Sequence, residues 1–359
     1  MKYQPARPED SGILARAMQN LIRSAEKNGA PGYLPLPERR TAELLLPGFP
    51  FPDPEAAGDR IKAEVLAVEG ENENENPIVG LAAGNASPSS ETAYVTVLLT
   101  SREGGEGEAV RKELLERLTA ELFGINPRLA RLRWVFYNPC LLPWRLPQTD
   151  GEPARCAHPG APGVAEEDPA RGTLLSDGWR DFAPLTVYAR SLPSYEIPED
   201  LARKTAENAA LGLKIEEYDP RLHGSLVPLV ESLGSEDWRR TLLGNAAAED
   251  PLPVMVAADR SDRALREHGG LGFVCGFAGP MKRTEDGRGW FAGIGIHPAY
   301  RSRGLGSTLF AGLCQGLRDL GADYMTLFTG TGGTAARIYE KAGFRPARQF
   351  FAMEKILRQ

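Results

Sequence analysis

"AYRSRGLGSTLF", residues 299–310, sets two arginines and two glycines directly before an apolar run. From Arg301 the spacing is R-x-x-G-x-G, and Leu309, Leu313, Cys314 and Leu317 then fall on one face of a 3.6-residue period. Upstream, "GWFAGIGIHP" (289–298) reads as a strand. A strand, a tight turn and a helix opening near Gly304 together make an anion cradle. The first N–H groups of a helix lack intrahelical partners, and its dipole places partial positive charge there. Glycines at 304 and 306 let an anion reach the main chain, and Arg301 and Arg303 add formal charge. Taken alone, the six residues are equally a glycine turn with solvated arginines.

The pattern occurs twice. In "LLTSREGGEGEAVRKELLERL" (98–118), Arg102-Glu103-Gly104-Gly105-Glu106-Gly107 has the same spacing, and Val110, Leu114, Leu115 and Leu118 repeat the helical face 199 residues earlier. The flanks agree as well. "AYVTVLL" (93–99) leads into the first loop as 289–298 leads into the second, and "LRWVFY" (132–137) matches "YMTLF" (324–328) after the helix. "TLLSDGW" (173–179) and "RIYEKAGF" (337–344) read as short helices ending in glycine plus an aromatic. The strands "PLTVYARSL" (184–192) and "QFFAMEKIL" (349–357) follow them. Each half also opens with a strand and a capped helix. The expected fold class is therefore α/β, two tandem domains, each a twisted mixed sheet flanked by helices. The first spans 1–192, a linker leading into the second occupies 193–212, and the second spans 213–359. The break is placed in "LPSYEIPEDL" (192–201), where prolines and acids interrupt the periodicity. The stretches 28–40, 71–77 ("ENENENP") and 146–172 read as insertions whose composition does not supply a packed core.

At 359 residues the chain exceeds one core. Its 42% hydrophobic and 25% charged content is that of a globular protein. No window holds an apolar run long enough for a membrane span, and "MKYQPARPEDSG" has no apolar signal-peptide core. A net charge of −6 argues against nucleic acid as the main partner. Cys140, Cys156, Cys275 and Cys314 form no CxxC pair, and no second ligand pair accompanies Cys156 and His158. No metal site is expected, and reduced thiols in the cytoplasm are.

Together with "AARIYEKAGF" (335–344), "IGIHPAYRSRGLGSTLF" (294–310) resembles the Gcn5-related N-acetyltransferase (GNAT) superfamily. The acetyl-CoA motif of that family reads Q/R-x-x-G-x-G/A after a strand ending near "HP", and its next motif ends in Y-x-x-x-G-F. The resemblance covers most of 213–357 in order, with the first half as a diverged copy, as in tandem enzymes of the mycothiol synthase type. It implies that acetyl-CoA is the co-substrate. The main chain of Ile294, Gly295 and Ile296 would pair with the pantetheine arm as an added strand. Arg301, Ser302, Arg303, Gly304, Leu305, Gly306 and Ser307 would hold the pyrophosphate. Tyr339 aligns with the tyrosine that protonates the departing thiolate, a task suited to a phenol that keeps its proton at neutral pH; it is otherwise a packing partner of Phe344.

There are departures from the family pattern. Gly332 stands where many members carry an asparagine that holds the pantetheine. No carboxylate lies within "WFAGIGIHP"; Glu236, Asp237, Glu285 and Asp286 are candidate bases by element only, and His297 occupies a place that is usually structural. In the first copy Glu103, Glu106 and Glu108 line the cradle, Gly104 replaces Arg303, and Leu174 replaces Tyr339. Carboxylates there compete with a pyrophosphate, so the first domain is expected to be structural or to shape the acceptor site. The aromatic stretch 134–144 is expected in its core. The expected activity is transfer of acetyl from acetyl-CoA to a primary amine of a small molecule by direct attack. The rival readings are a non-catalytic CoA-binding regulatory or structural protein, and an acetyltransferase acting on a protein amine.

Overall fold

The computed structural model of the chain describes residues 1–5, 11–27, 32–69, 78–147 and 156–357; the stretch 71–77 lies outside them. The chain divides into two units, one of Met1–Pro147, Ala157–Val187 and Arg348–Gln359, the other taking in Tyr188–Ala347. Among the described residues no helix is long and apolar enough to cross a membrane.

Elements of the first half run β1 (Lys2–Gln4), α1 (Ser11–Lys27), β2 (Gly32–Tyr33), α2 (Glu38–Leu45), α3 (Pro54–Ala57), β3 (Ile61–Val68), β4 (Ile78–Ala86), β5 (Thr92–Thr100), α4 (Gly104–Ile125), β6 (Arg131–Trp134), β7 (Trp144–Arg145), β8 (Ala157–His158), β9 (Val164–Ala165), α5 (Pro169–Ser176) and β10 (Arg180–Ser191). Strands β1, β3, β4 and β5 pair antiparallel in that order, with Leu66 opposite Leu81 and Ala83 opposite Val97. Almost every residue of β3, β4 and β5 is buried, so both faces of the sheet are covered. Helices α1 and α4 pack on it. Strand β6 joins β5 in parallel, but only through Thr92–Tyr94.

The second half runs α6 (Glu199–Ala210), β11 (Leu213–Glu217), α7 (Val227–Leu233), α8 (Glu236–Ala246), β12 (Met255–Asp259), α9 (Asp262–Glu267), β13 (Phe273–Ala278), β14 (Met281–Arg283), β15 (Arg288–Phe291), β16 (Ile294–Ile296), α10 (Leu305–Asp319), β17 (Tyr324–Gly330), α11 (Thr334–Lys341) and β18 (Arg345–Ile356). The plan repeats the first half. Strands β11, β12, β13 and β16 pair antiparallel, with Ile215 opposite Ala257 and Phe277 opposite Gly295. Strand β15 pairs in parallel with β17 through Arg288–Tyr324 and Gly289–Met325.

The tertiary structure departs from the expected plan in four places. The run 289–298 is two strands, β15 and β16, which pair with different neighbours. The closing strands are exchanged: β10 continues as the neighbour of β17, whereas β18 pairs with β6, Trp134 opposite Met353. The unit boundary consequently falls inside these strands, not between 192 and 213. The stretch 193–212 carries helix α6, and Tyr195 and Leu201 are buried with Leu192, Leu305 and Leu309 in one apolar cluster. Nor are the stretches read as insertions devoid of core. Tyr33, Cys156, His158, Ala161, Val164 and Ala165 are buried, because β9 pairs with β18 (Val164 opposite Phe351) and Trp144 stacks on His158. Small residues suit such a segment, since they allow close backbone approach.

Candidate active site

The second unit contains a splayed pair of strands. β15 keeps β17 only as far as Gly289 and Met325; three residues past β15, the chain turns to β13 as β16. The His297 amide donates to the Cys275 carbonyl of β13, and the Gly293 carbonyl accepts from the amide of Gly279, one residue past β13, each at 2.9 Å. By the alternation of an antiparallel ladder, the amides and carbonyls of Ile294 and Ile296 point the other way. No described strand pairs with that edge; Arg301 Nε donates to the Ile296 carbonyl at 3.2 Å. The result is a short row of main-chain donors and acceptors beside an opening.

Side chains explain why the strand divides there. Ile294 and Ile296 pack into the core that α10 covers. The opposite face belongs to Trp238 of α8, whose Nε1 would stand 2.5 Å from a Cβ on Gly293. Any larger residue at 293 would collide with the indole, which packs edge-on to Phe277 at 5.5 Å.

The loop 301–304 leaves β16 toward the start of α10. Ser302 has φ +63°, a left-handed conformation that costs a non-glycine residue about 1–3 kcal/mol and tends to occur at functional loops. Gly304 is the N-cap of α10 at φ +76°, where glycine alone is unstrained. The amides of Leu305 and Gly306, in the first helical turn, lack intrahelical partners. Gly306 faces Ile338 and Ile296, 3.3 and 3.9 Å from where its Cβ would be. Arg303 lies over the Tyr300 ring at 5.1 Å, and the Tyr300 hydroxyl donates to Asp259 at 2.8 Å. Thus Arg301, Ser302, Arg303, Gly304, Leu305, Gly306 and Ser307 sit at one helix N-terminus next to the open edge of Ile294–Ile296.

Tyr339 projects from α11 into the core under α10. It is 7% exposed, with ring centroids 4.9 Å from Phe310 and 5.9 Å from Tyr188. No described residue hydrogen-bonds to its hydroxyl. Burial pushes the phenol up to about 12, so it holds its proton throughout the neutral range. The candidate bases lie elsewhere or are engaged. Glu236 and Asp237 are paired with Arg239 and Arg240 at 2.8 and 3.2 Å, and both are largely solvated. Glu285 and Asp286 occupy the β14–β15 turn, at the end of β15 remote from the opening, where Asp286 accepts from Tyr324 at 3.1 Å. His297 Nδ1 accepts from the Ala299 amide at 3.2 Å and caps the turn Pro298–Tyr300.

Residues outside the motifs adjoin the loop 301–304. Asn208 of α6, itself buried, donates from Nδ2 to the Arg303 carbonyl at 3.4 Å, and Lys204 lies against Gly304. A sequence signal for α6 existed: Pro198 followed by Glu199 and Asp200 is a helix start with its dipole matched. Trp238 left no such signal, because its contact with Gly293 joins residues 55 apart.

The first unit carries the same loop with its charge spent internally. Arg102 is ion-paired with Glu69 and, at 3.4 Å, with Glu106. Leu174 is fully buried. Past the β6 pairing, the edge of β5 at Leu98–Thr100 faces Arg111 and Asp168–Ala170, with a cavity of only about 10 Å³ between them. Asp168 caps α5 there by accepting from the Ala170 amide at 2.9 Å, and burial pushes its carboxyl up to about 6.

Residues 254–346 match the family model of the acetyltransferase (GNAT) domain. A solved tandem GNAT protein from the clavulanic acid biosynthesis pathway aligns over 100% of this chain and 99% of its own, with a TM-score of 0.53 and 12% identity. The second half thus carries a match to the GNAT domain, and the chain as a whole has the fold of a tandem GNAT protein. A GCN5-related N-acetyltransferase from Sphaerobacter thermophilus aligns over 100% of this chain and 96% of its own (TM-score 0.51, 14% identity). The GCN5-related glucosamine N-acetyltransferase region of a fungal multi-domain GH3 β-N-acetylglucosaminidase aligns with 99% of this chain (TM-score 0.60, 13% identity). The tandem spans 38% of that fungal protein. No curated protein matches the sequence. At these identities the structural likenesses establish the fold alone; the acetyltransferase-like character rests on the family-model match at 254–346.

Proposed function

We propose that this GNAT protein transfers acetyl from acetyl-CoA to a primary amine of a small molecule, in the cytoplasm, using the second domain. The observation that carries the reading is the unpaired edge of Ile294–Ile296 ending beside the N-terminus of α10. An extended, amide-bearing arm fits such an edge as an added strand, and its pyrophosphate then meets the amides and arginines of 301–307. Main-chain N–H on β16 supports the carbonyl oxygen as the amine nitrogen forms the new C–N bond. Tyr339 donates its proton to the sulfur as the C–S bond breaks, and the amine proton leaves through water. The engaged arginine and filled edge of the first unit support one site per chain. Two of the structurally similar proteins belong to small-molecule chemistry, a glucosamine N-acetyltransferase region and a clavulanic acid biosynthesis protein, which supports a small-molecule acceptor. Cys140, Cys275 and Cys314 are free thiols, in keeping with a reducing compartment.

Incubation with acetyl-CoA and a panel of amino sugars, polyamines, aminoglycosides, amine-bearing thiol precursors and peptide N-termini, followed by assay of released thiol, tests the reading. Amine-dependent release with a small acceptor is expected. CoA binding without turnover on any amine would leave a sensing or structural protein instead, and turnover only on peptides a protein acetyltransferase.

A further inference from the structure

Helix α6 brings a second group of cations to the cradle loop. Lys204 lies flat over Gly304, its Cγ and Cε each 3.2 Å from the position of a Cβ there. Gly304 and Ser307, at the start of α10, share a cavity of about 310 Å³ with Arg203 and Lys204 of α6 and Lys341 at the end of α11. Asp200 and Glu207 also line it, and Glu207 is held by Lys204 Nζ at 3.0 Å. Arg203 and Lys341 pair with no described carboxylate. The cavity is therefore net cationic, and its volume lies at the lower end of small-molecule sites, more than an inorganic ion fills. Because Gly304 borders both this cavity and the cradle, two anionic groups bound there are within reach of one molecule.

We propose that this cavity is a second phosphate site, which holds the ribose 3′-phosphate of CoA while residues 301–307 hold its pyrophosphate. The inference rests on the CoA reading of the cradle and adds a selectivity to it: the protein discriminates CoA from dephospho-CoA. Arg203 and Lys204 stand on α6, outside residues 254–346 matched by the family model, and Lys341 lies within them, so the cavity joins a cation of the matched domain to two that precede it. A phosphate monoester is close to a dianion at neutral pH, and each charge-assisted hydrogen bond to it strengthens binding.

Calorimetry with CoA and with dephospho-CoA, on the full chain and on Lys204→Met/Lys341→Met, tests the proposal. Methionine keeps the apolar stem over Gly304, and a thermal melt together with the single Lys341→Met variant checks that the fold survives. The wild type is expected to bind CoA at least about ten-fold more tightly than dephospho-CoA at low salt, with the ratio shrinking as salt rises. The double variant is expected to bind the two ligands equally, with its affinity for dephospho-CoA near that of the wild type. Equal affinities in the wild type, or a preference that survives both substitutions, would overturn the proposal. So would a parallel loss of both ligands in the variant, which would mean that the lysines serve the pyrophosphate. If neither ligand binds the wild type, the CoA reading itself fails, an outcome distinct from equal binding.

Discussion

Burial fixes the protonation state of Tyr339, the proposed proton donor. An exposed phenol would begin to lose its proton near pH 10, whereas desolvation pushes this one up to about 12. The sign follows from the charge of the conjugate base: burial disfavours phenolate, so the acid form persists to higher pH. The kcat profile is thus expected to show no fall from this group below about pH 11, and a fall near pH 10 would count against the assignment. Tyr339→Phe keeps the ring against Phe310 and Tyr188. It is expected to bind CoA as the parent does and to lose about 10²–10⁴-fold in kcat, measured where chemistry limits turnover. Gly304 tests the cradle. Gly304→Glu forces a side chain into φ +76°, displaces Lys204 and places a carboxylate at the helix N-terminus, as Glu103 and Glu106 do in the first unit. Calorimetry is expected to show CoA binding lost or reduced at least about 100-fold, the effect of repelling an anion in a partly desolvated site; unchanged affinity would put CoA elsewhere.

At the scale of elements, the two loop–helix units have the same local chemistry and opposite fates. In the second, α10 begins beside an open edge; in the first, α5 and its cap Asp168 fill the corresponding space against β5 and α4. That cap is a buried carboxyl raised from 3.8 to about 6. The folded state therefore binds the proton more tightly than the unfolded chain, and this group's contribution to stability falls as pH rises from about 4 to about 6, by at most about 3 kcal/mol. Asn keeps the acceptor that caps α5 without the charge. Relative to the parent, Asp168→Asn is expected to be neutral near pH 4 and stabilising by about 1–3 kcal/mol above pH 7, as read by urea melts of the full chain. A difference that does not change with pH would mean that Arg111 and Arg348 compensate the charge fully.

The exchanged closing strands make each unit depend on a distant part of the chain. Strand β18 supplies Met353 to the core of the first unit. Its Glu354 accepts from Arg133 at 3.1 Å and Arg180 at 2.8 Å, and Phe350 packs edge-on to Trp144 at 5.0 Å. A fragment of residues 1–192 alone is thus expected to lack cooperative unfolding, because Trp134 and Leu132 lose their partner strand. Adding a peptide of residues 345–357 is expected to restore a melting transition, with a melting temperature that rises with peptide concentration. A fragment that melts cooperatively without the peptide would show that β18 is dispensable to the first unit.

The sequence by itself determined what is local and periodic. The tandem order of strand, turn, helix and strand was legible from apolar spacing. The turn at 301–304 and the helix from Leu305 were legible from glycine and arginine placement, and the short helix carrying Tyr339 from the Gly343-Phe344 that follows it. These features are set by residues within a turn or two of one another, where backbone sterics and helix electrostatics act. Only the tertiary structure decided the rest. Strands β10 and β18 carry similar alternation, so nothing local distinguishes which lies beside β6 and which beside β17. The contact of Trp238 with Gly293 between β15 and β16, and the hydrogen bond from Asn208 of α6 to the Arg303 carbonyl, were decided there too. Such contacts join residues tens to hundreds of positions apart. Their energy comes from packing and pairing in three dimensions, which leaves no period in the chain to read.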